Sequence, residues 1–435
     1  MININTILLT VLLSALSASV NADLSLISNS VSTHPKVVEK ANEITLKSID
    51  IERIVAEDGV KLNFSTKSKL PISHQLDANK SRADDLDREF VDGVITLNKN
   101  LYDFGVVDYS IDAEKSKQQA IKLEYFEVFE STLQRLLKTA NNIARVNRSI
   151  SLVDQSIANT KQTIDEIKLR FTSGVGTIMD VRQAQLILLD LETQKQTLKH
   201  ELENNLTIAK NEYGLSQVDV SKVNITTDNF INDLKANNEN LAKVINKVLN
   251  YDRSKKIISF EKGSLRGKIN SLKAQNKPQL NATITGMSYD MTRGLDEYEV
   301  YGGINLSMPL YDSGLNNVKQ RSFEYQIKVQ DDILAVLEQD KLLAFNKLKK
   351  DFENLQIEKN SAQQRQLNLA EKLEQIKQKM AVVDQGLLTQ LQTQVQLDKA
   401  SATVNSYPFY LKALTLDYWS LNERLMEKLN IHPVN

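Results

Sequence analysis

Apolar residues along most of this chain recur at alternating steps of three and four. Phe129, Leu133, Leu136, Ala140, Ile143, Ile150, Val153, Ile157, Ile164, Ile167 and Phe171 form one such series. A sustained period near 3.5 marks a coiled-coil seam rather than the broader face of a globular helix. From about Gly105 to Phe171 the chain has no proline and no interior glycine. A helix of that span is roughly 100 Å long at about 1.5 Å per residue. Val181, Ala184, Leu188, Leu191, Leu198 and Leu202 repeat the pattern, so a second helix runs back beside the first to about Tyr213. The turn between them holds Gly174-Val175-Gly176-Thr177, in which the glycines permit reversal. Thr177 is placed to cap the return helix, with Asp180 in its first turn, where negative charge is favoured.

Other stretches alternate with period two, as strands do. Val60, Leu62 and Phe64 alternate with polar residues, and so do Val91, Ile95 and Leu97. A moderately amphipathic helix, about His34 to Asp58, precedes them. The second half repeats the plan with a helix to about Asn276, then Leu280, Ala282 and Ile284, then Tyr298, Val300, Gly302, Ile304, Leu306 and Met308. Ile304 and Leu306 are expected in a membrane band, with Leu306 toward lipid and Asn305 toward the opposite face. A second long hairpin follows, with Phe345, Leu348, Phe352, Leu355, Leu369, Leu373, Ile376, Met380 and Val383 on the outgoing arm. Its turn is Val383-Asp384-Gln385-Gly386-Leu387-Leu388-Thr389, and its return arm carries Pro408, which is expected to kink or split it. The repeat has a period of about 210 residues, so the chain is two copies of one unit: helix, two strands, long hairpin. The expected divisions are 1–22, a leader; 23–213, the first repeat; 214–250, a polar link; and 251–435, the second repeat.

Composition narrows the functional classes. Only 14 of 435 residues are glycine and 6 proline, which favours long helices. A net charge near zero, -1, gives no reason to expect a nucleic-acid partner. With no cysteine there is no disulfide, thiolate metal site or thiol nucleophile. Residues 7–20 are apolar and Ala22 follows at a cleavage position, so 1–22 reads as a secretory signal peptide. No later run reaches the ~18 apolar residues of a spanning helix. His34, His74, His200 and His432 are scattered without ligand spacing, so no metal, cofactor or catalytic group is expected. Tyr102, Tyr289, Tyr298, Tyr301 and Tyr311 flank the strands, either as interfacial girdles or as ordinary strand packing.

Four strands cannot sit in lipid as an open sheet, because the edges would be unsatisfied. Single-chain barrels need about eight. Shared barrels follow: two chains give eight strands, three give twelve. A soluble sheet capping a coiled coil is the alternative, which would make the protein a structural element of the periplasm or cell surface.

Leu101-Tyr102-Asp103-Phe104-Gly105 and Met308-Pro309-Leu310-Tyr311-Asp312-Ser313-Gly314 open the two hairpins in the same way. Together with Gly174-Val175-Gly176-Thr177, Asp180-Val181 and Ala184, they make the chain resemble the TolC-like outer-membrane factor family, the outer membrane efflux proteins. The resemblance implies a mainly α protein with a membrane β-barrel portion. Long antiparallel coiled-coil hairpins would form a trimeric α-barrel, topped by a shared twelve-stranded barrel of four strands per chain. It implies a homotrimer in the outer membrane of a Gram-negative bacterium, set in lipid and extending into the periplasm. The duct would be passive and not an enzyme, serving tripartite efflux or type I secretion. Its partners would be a periplasmic adaptor (membrane fusion) protein and an inner-membrane transporter, ABC or proton-driven. Gly174, Val175, Gly176, Thr177, Gly386, Leu387 and Leu388 would form the adaptor-docking tip. Arg170, Asp180, Arg182, Asp384 and Gln392 would form the periplasmic gate. The chain departs from the family at Asn100, where the second repeat has Pro309, and at Gln392, where the first tip has Asp180.

Overall fold

The computed structural model describes residues 25–69, 90–215, 253–289, 291, 294, 297–382 and 386–433. The expected leader, most of the link and Asp384 lie outside the described residues. The elements in order are α1 (Pro35–Glu57), β1 (Lys61–Lys69), β2 (Phe90–Tyr102), α2 (Val106–Thr172) and α3 (Ile178–Tyr213). The second half supplies α4 (Arg253–Gln275), β3 (Gln279–Ser288), β4 (Tyr298–Ser307), α5 (Leu315–Val382), α6 (Leu387–Leu421) and α7 (Leu425–Leu429). Residues 25–32 are also helical. Two compact units emerge, one of residues 41–124 and 254–335, the other of the remainder.

The first unit contains the sheet, antiparallel in the order β1-β2-β3-β4. Phe64 pairs with Ile95, Leu97 with Ile284, Ala282 with Ile304 and Leu280 with Leu306. Because alternate residues share a face, these pairs assemble Leu62, Phe64, Ile95, Leu97, Ile284, Val300, Ile304 and Leu306 on one side. Asn63, Thr96, Asn98, Asn281, Thr283 and Asn305 lie on the other, where Thr283 donates to Asn98 Oδ1 at 2.9 Å. The strands therefore take the expected phase. Tyr301 shares the polar face with Asn305, and Tyr289, whose hydroxyl donates to Glu299 Oε2 at 3.0 Å, continues that face beyond β3, so neither joins a girdle on the apolar side.

Beside the sheet, α4 lies against the start of α2 along small residues. A Cβ on Gly267 would meet the Ala113 Cβ at 2.8 Å and its backbone at 3.0 Å, so glycine alone allows this approach. One turn on, the Ser271 hydroxyl donates to Val106 O at 3.1 Å and pairs with the Ser110 hydroxyl at 2.9 Å.

The second unit holds two apolar clusters. The larger collects Phe129, Leu133, Leu136, Leu137 and Ile143 of α2 with Phe345, Leu348 and Phe352 of α5 and Leu411, Leu416 and Trp419 of α6. Ile27, Val31, Leu425 and Ile431 seal it from the two chain ends. The smaller unites Val153, Ile157, Ile164 and Ile167 of α2, Val181, Ala184 and Leu191 of α3, and Leu391 and Val395 of α6. Most of the seam residues expected from periodicity are buried or half-buried, but Phe171 is 40% exposed and Val383 lies outside the described residues. The expected split at Pro408 does not occur, for α6 is one continuous helix. Asn141 of α2 donates to the neighbouring Phe409 carbonyl at 2.8 Å, fixing the backbone beside the proline.

Candidate functional site

Two features of this chain can act on other molecules, the two-faced sheet and the turns of the hairpins. Each hairpin begins with the same turn. Asp103 accepts hydrogen bonds from the amides of Gly105 at 2.9 Å and Val107 at 2.8 Å. Asp312 accepts those of Gly314 and Asn316, both at 2.9 Å. Phe104 and Ser313 both have φ of 56°, and Gly105 and Gly314 follow at 90° and 78°. Two consecutive left-handed residues turn the strand direction sharply into the helix, and the aspartate satisfies donors the first helical turn leaves open. Those amides hold the Asp312 carboxyl below the usual carboxylate range, the Asn316 amide most of all.

At the far end of α2, Gly174 adopts φ of 78°. Its amide donates to Phe171 O and that of Val175 to Arg170 O, each at 3.0 Å, which closes the helix in a Schellman motif. Gly176 has no positive φ, so one glycine rather than two makes the reversal. Thr177 caps α3 as expected, and Asp180 completes a capping box with it. The Thr177 amide and hydroxyl both donate to Asp180 Oδ2, at 3.1 and 2.8 Å, and the Asp180 amide donates back to the hydroxyl at 3.2 Å. Asp180 Oδ1 has no partner among the described residues.

The starts of α3 and α6 share the smaller cluster, so the two turns lie together. Val175 and Met179 are more than half exposed, at 59% and 54%. Leu387 and Leu388 instead pack partly onto the cluster, which leaves the first turn as the apolar prominence. Gly386, with φ of 119°, precedes α6. Arg182 and Gln392 are exposed, and Arg182 has no ion partner among the described residues. Along the first hairpin, Lys161–Glu192 (3.4 Å), Lys195–Asp154 (2.5 Å) and Arg145–Glu201 bridge α2 to α3.

Periodicity did not reveal a buried ionic network in the second unit. Glu130 of α2 is 3% exposed. Its carboxylate meets the Arg253 guanidinium at 2.9 Å and accepts the Leu425 amide at 2.7 Å. The Arg253 amide donates to Glu423, which pairs with Lys341 at 2.8 Å. The signal was a glutamate beside the seam residues Phe129 and Leu133. His34 is buried and stacks on Tyr213, with ring centroids 5.3 Å apart. His200 is exposed, and His74 lies outside the described residues. No described helix is long and apolar enough to cross a membrane.

The described residues combine an open sheet, apolar on one face and polar on the other, with long coiled-coil hairpins. Residues 69–211 match the model of the family described as outer membrane efflux protein. The fold agrees with the outer membrane protein VceC of Vibrio cholerae at 14% identity over 95% of this chain and 97% of that one, with a TM-score of 0.72. It agrees with the Campylobacter jejuni CmeC outer membrane channel at 13% identity, 93% and 86% coverage and a TM-score of 0.71. For the open state of the Neisseria gonorrhoeae MtrE outer membrane channel the values are 12%, 93% and 89%, and 0.72. No curated protein sequence matches the chain. Residues 69–211 are thus similar in sequence to the outer membrane efflux protein family, and the described chain shares the fold of these outer-membrane channels.

Proposed function

We propose that the protein is the passive outer-membrane duct of a tripartite efflux or type I secretion system, working as a homotrimer. The sheet carries this reading. Among the described residues, β1 and β4 each pair on one side only, and lipid tolerates no such edge. Joining β4 of one chain to β1 of the next closes a barrel with the apolar face outward and the asparagine- and threonine-rich face lining a pore. Three chains supply twelve strands. The repeated Asp103 and Asp312 turns support descent from a duplicated unit of helix, strands and hairpin. In planar bilayers the protein purified from outer-membrane fractions should conduct ions and run as a heat-modifiable trimer. A soluble, non-conducting monomer would overturn the proposal.

The exposed first turn, Gly174 to Thr177, is the proposed docking rim for a periplasmic adaptor that links the duct to an inner-membrane transporter. Gly386, Leu387 and Leu388 support it from the second hairpin. Gly174→Trp should abolish transport by two routes, a left-handed position occupied by a large side chain and a blocked rim, while the trimer still assembles. Transport that survives this change and a matching one at Val175 would move the rim elsewhere.

The gate is proposed at the same turns, from Arg170, Asp180, Arg182, Asp384 and Gln392. Asp180 Oδ1 and Arg182 have no partner among the described residues and are available to neighbouring hairpins. Exposed links contribute only about 0–1 kcal/mol each, so threefold repetition is needed to hold the closed state. Asp180→Ala with Arg182→Ala should raise resting conductance, and high salt should do the same to the wild type. Unchanged conductance in both experiments would assign closure to apolar packing.

A further inference from the structure

A cavity of about 610 Å3 opens in the unit of residues 41–124 and 254–335, between α1, the feet of β1 and β2, α2, α4 and α5. Its size suits a small molecule, not a polypeptide segment. Ile54, Val107, Leu272 and Phe323 supply apolar wall. The carboxylates that reach it are all engaged. Glu57 pairs with Arg53 at 3.4 Å, Asp58 with Lys99 at 3.2 Å and Glu114 with Lys47 at 3.0 Å. Asp58 also accepts the Asn100 amide at 3.0 Å. Lys61 and Lys268 line the same cavity. Neither ammonium group has a hydrogen-bond or ion partner among the described residues, and Lys268 is partly buried.

The cavity thus combines two uncommitted ammonium groups with an apolar wall, where every carboxylate already has its cation. It is also rigidly built. Gly267 against Ala113, and Ser271 against Ser110 and Val106, lock α4 to α2 along its side. We propose that this cavity binds an anionic amphiphile, a phosphate or carboxylate head on a short alkyl chain. Lys61 and Lys268 hold the head, and Leu272 and Phe323 pack on the tail. Two positive charges with no partner repel uncharged surfactants no more than water does, but they favour an anion by charge-assisted hydrogen bonds. The apolar wall distinguishes an amphiphile from a bare ion. Such a molecule has two sources, a membrane phospholipid or a dissolved detergent-like compound.

Isothermal titration of the full chain in dodecyl maltoside tests this with dodecyl phosphate. One saturable site per chain is expected. Lys61→Gln with Lys268→Gln should weaken binding about tenfold or more. Inorganic phosphate should bind at least about tenfold more weakly than dodecyl phosphate, because it lacks the tail. Phe323→Ala keeps both lysines and should weaken dodecyl phosphate alone, so it carries the test if the double variant fails to assemble. No saturable binding, unchanged affinity in both variants, or equal affinity for inorganic phosphate would overturn the proposal. To separate the sources, the protein is passed through phosphatidylglycerol vesicles and re-extracted. Phosphorus retained by wild type and lost from the double variant identifies a membrane lipid. No retention, with dodecyl phosphate displaced by cholate, identifies a dissolved amphiphile. Binding is read without conductance, so its failure leaves the channel reading untouched.

Discussion

Glu130→Ala should lower the stability of the helical unit by about 3–5 kcal/mol, the cost of breaking a buried ion pair from one side. Arg253 would keep its charge in a site where its side chain is 13% exposed, and the Leu425 amide would lose its acceptor. Glu130→Leu with Arg253→Met removes both charges and should recover most of the loss. Urea unfolding midpoints of the three proteins make the comparison. If the single variant sits within about 1 kcal/mol of wild type, as an exposed pair would, the network contributes nothing beyond surface charge. The same group sets a pH dependence. Burial raises the Glu130 carboxyl above its ordinary range, and Arg253 only partly opposes this. The folded state therefore binds a proton that the unfolded state has released, between the ordinary carboxylate pKa and the raised one. This contribution to stability falls as pH rises through that window. Glu130→Gln should flatten that part of the profile.

Leu306→Arg should impair assembly severely, and Asn305→Arg should not. Leu306 is 65% exposed on the apolar face, opposite Leu280. An arginine at mid-membrane on a lipid face costs about 2–4 kcal/mol per chain, and a trimer would carry it three times. Asn305 pairs with Asn281 on the polar face, where a new arginine meets water and alters ion selectivity. Heat-modifiable trimer on gels reports the first effect and the cation-to-anion permeability ratio the second. Equal loss of trimer in both variants would reverse the assignment of faces.

These residues also show what was legible in the sequence. Strand phase and helix seams could be read because each buries or exposes a whole periodic set, so Leu306 and Phe129 announce themselves with their neighbours. The Asp103 and Asp312 turns were visible as a repeated phrase, though not as two consecutive left-handed residues. Other features have no period. β1 extends to Lys69 because it pairs with β2 as far as Phe90, although its apolar alternation fades after Phe64. Glu130 lies beside a seam, and its partners Arg253 and Glu423 are distant in sequence. Glycine at 263 and 267 and serine at 271 mark a close helix approach only once the partner helix is known. The sequence marks Asp180 as a helix-start residue, and the family resemblance implies a gate charge there. Spacing alone could not show that one carboxylate oxygen serves the cap while the other stays free.

The sheet has a further consequence for how the chain is made. β1 and β2 are near neighbours in sequence, as are β3 and β4, but the central pair joins Thr96 to Thr285. Loop closure over such a separation must precede any contact that rewards it. The α2–α3 hairpin, whose contacts are local, has the shorter path. On refolding, amides of α2 and α3 should gain exchange protection before those that link β2 to β3. The four-stranded sheet with its apolar face is then completed last, when the rest of the chain already has a shape. Until then the hairpins β1–β2 and β3–β4 remain separate with the edges of β2 and β3 open as well as those of β1 and β4, so the central pairing halves the unpaired edge available for aggregation.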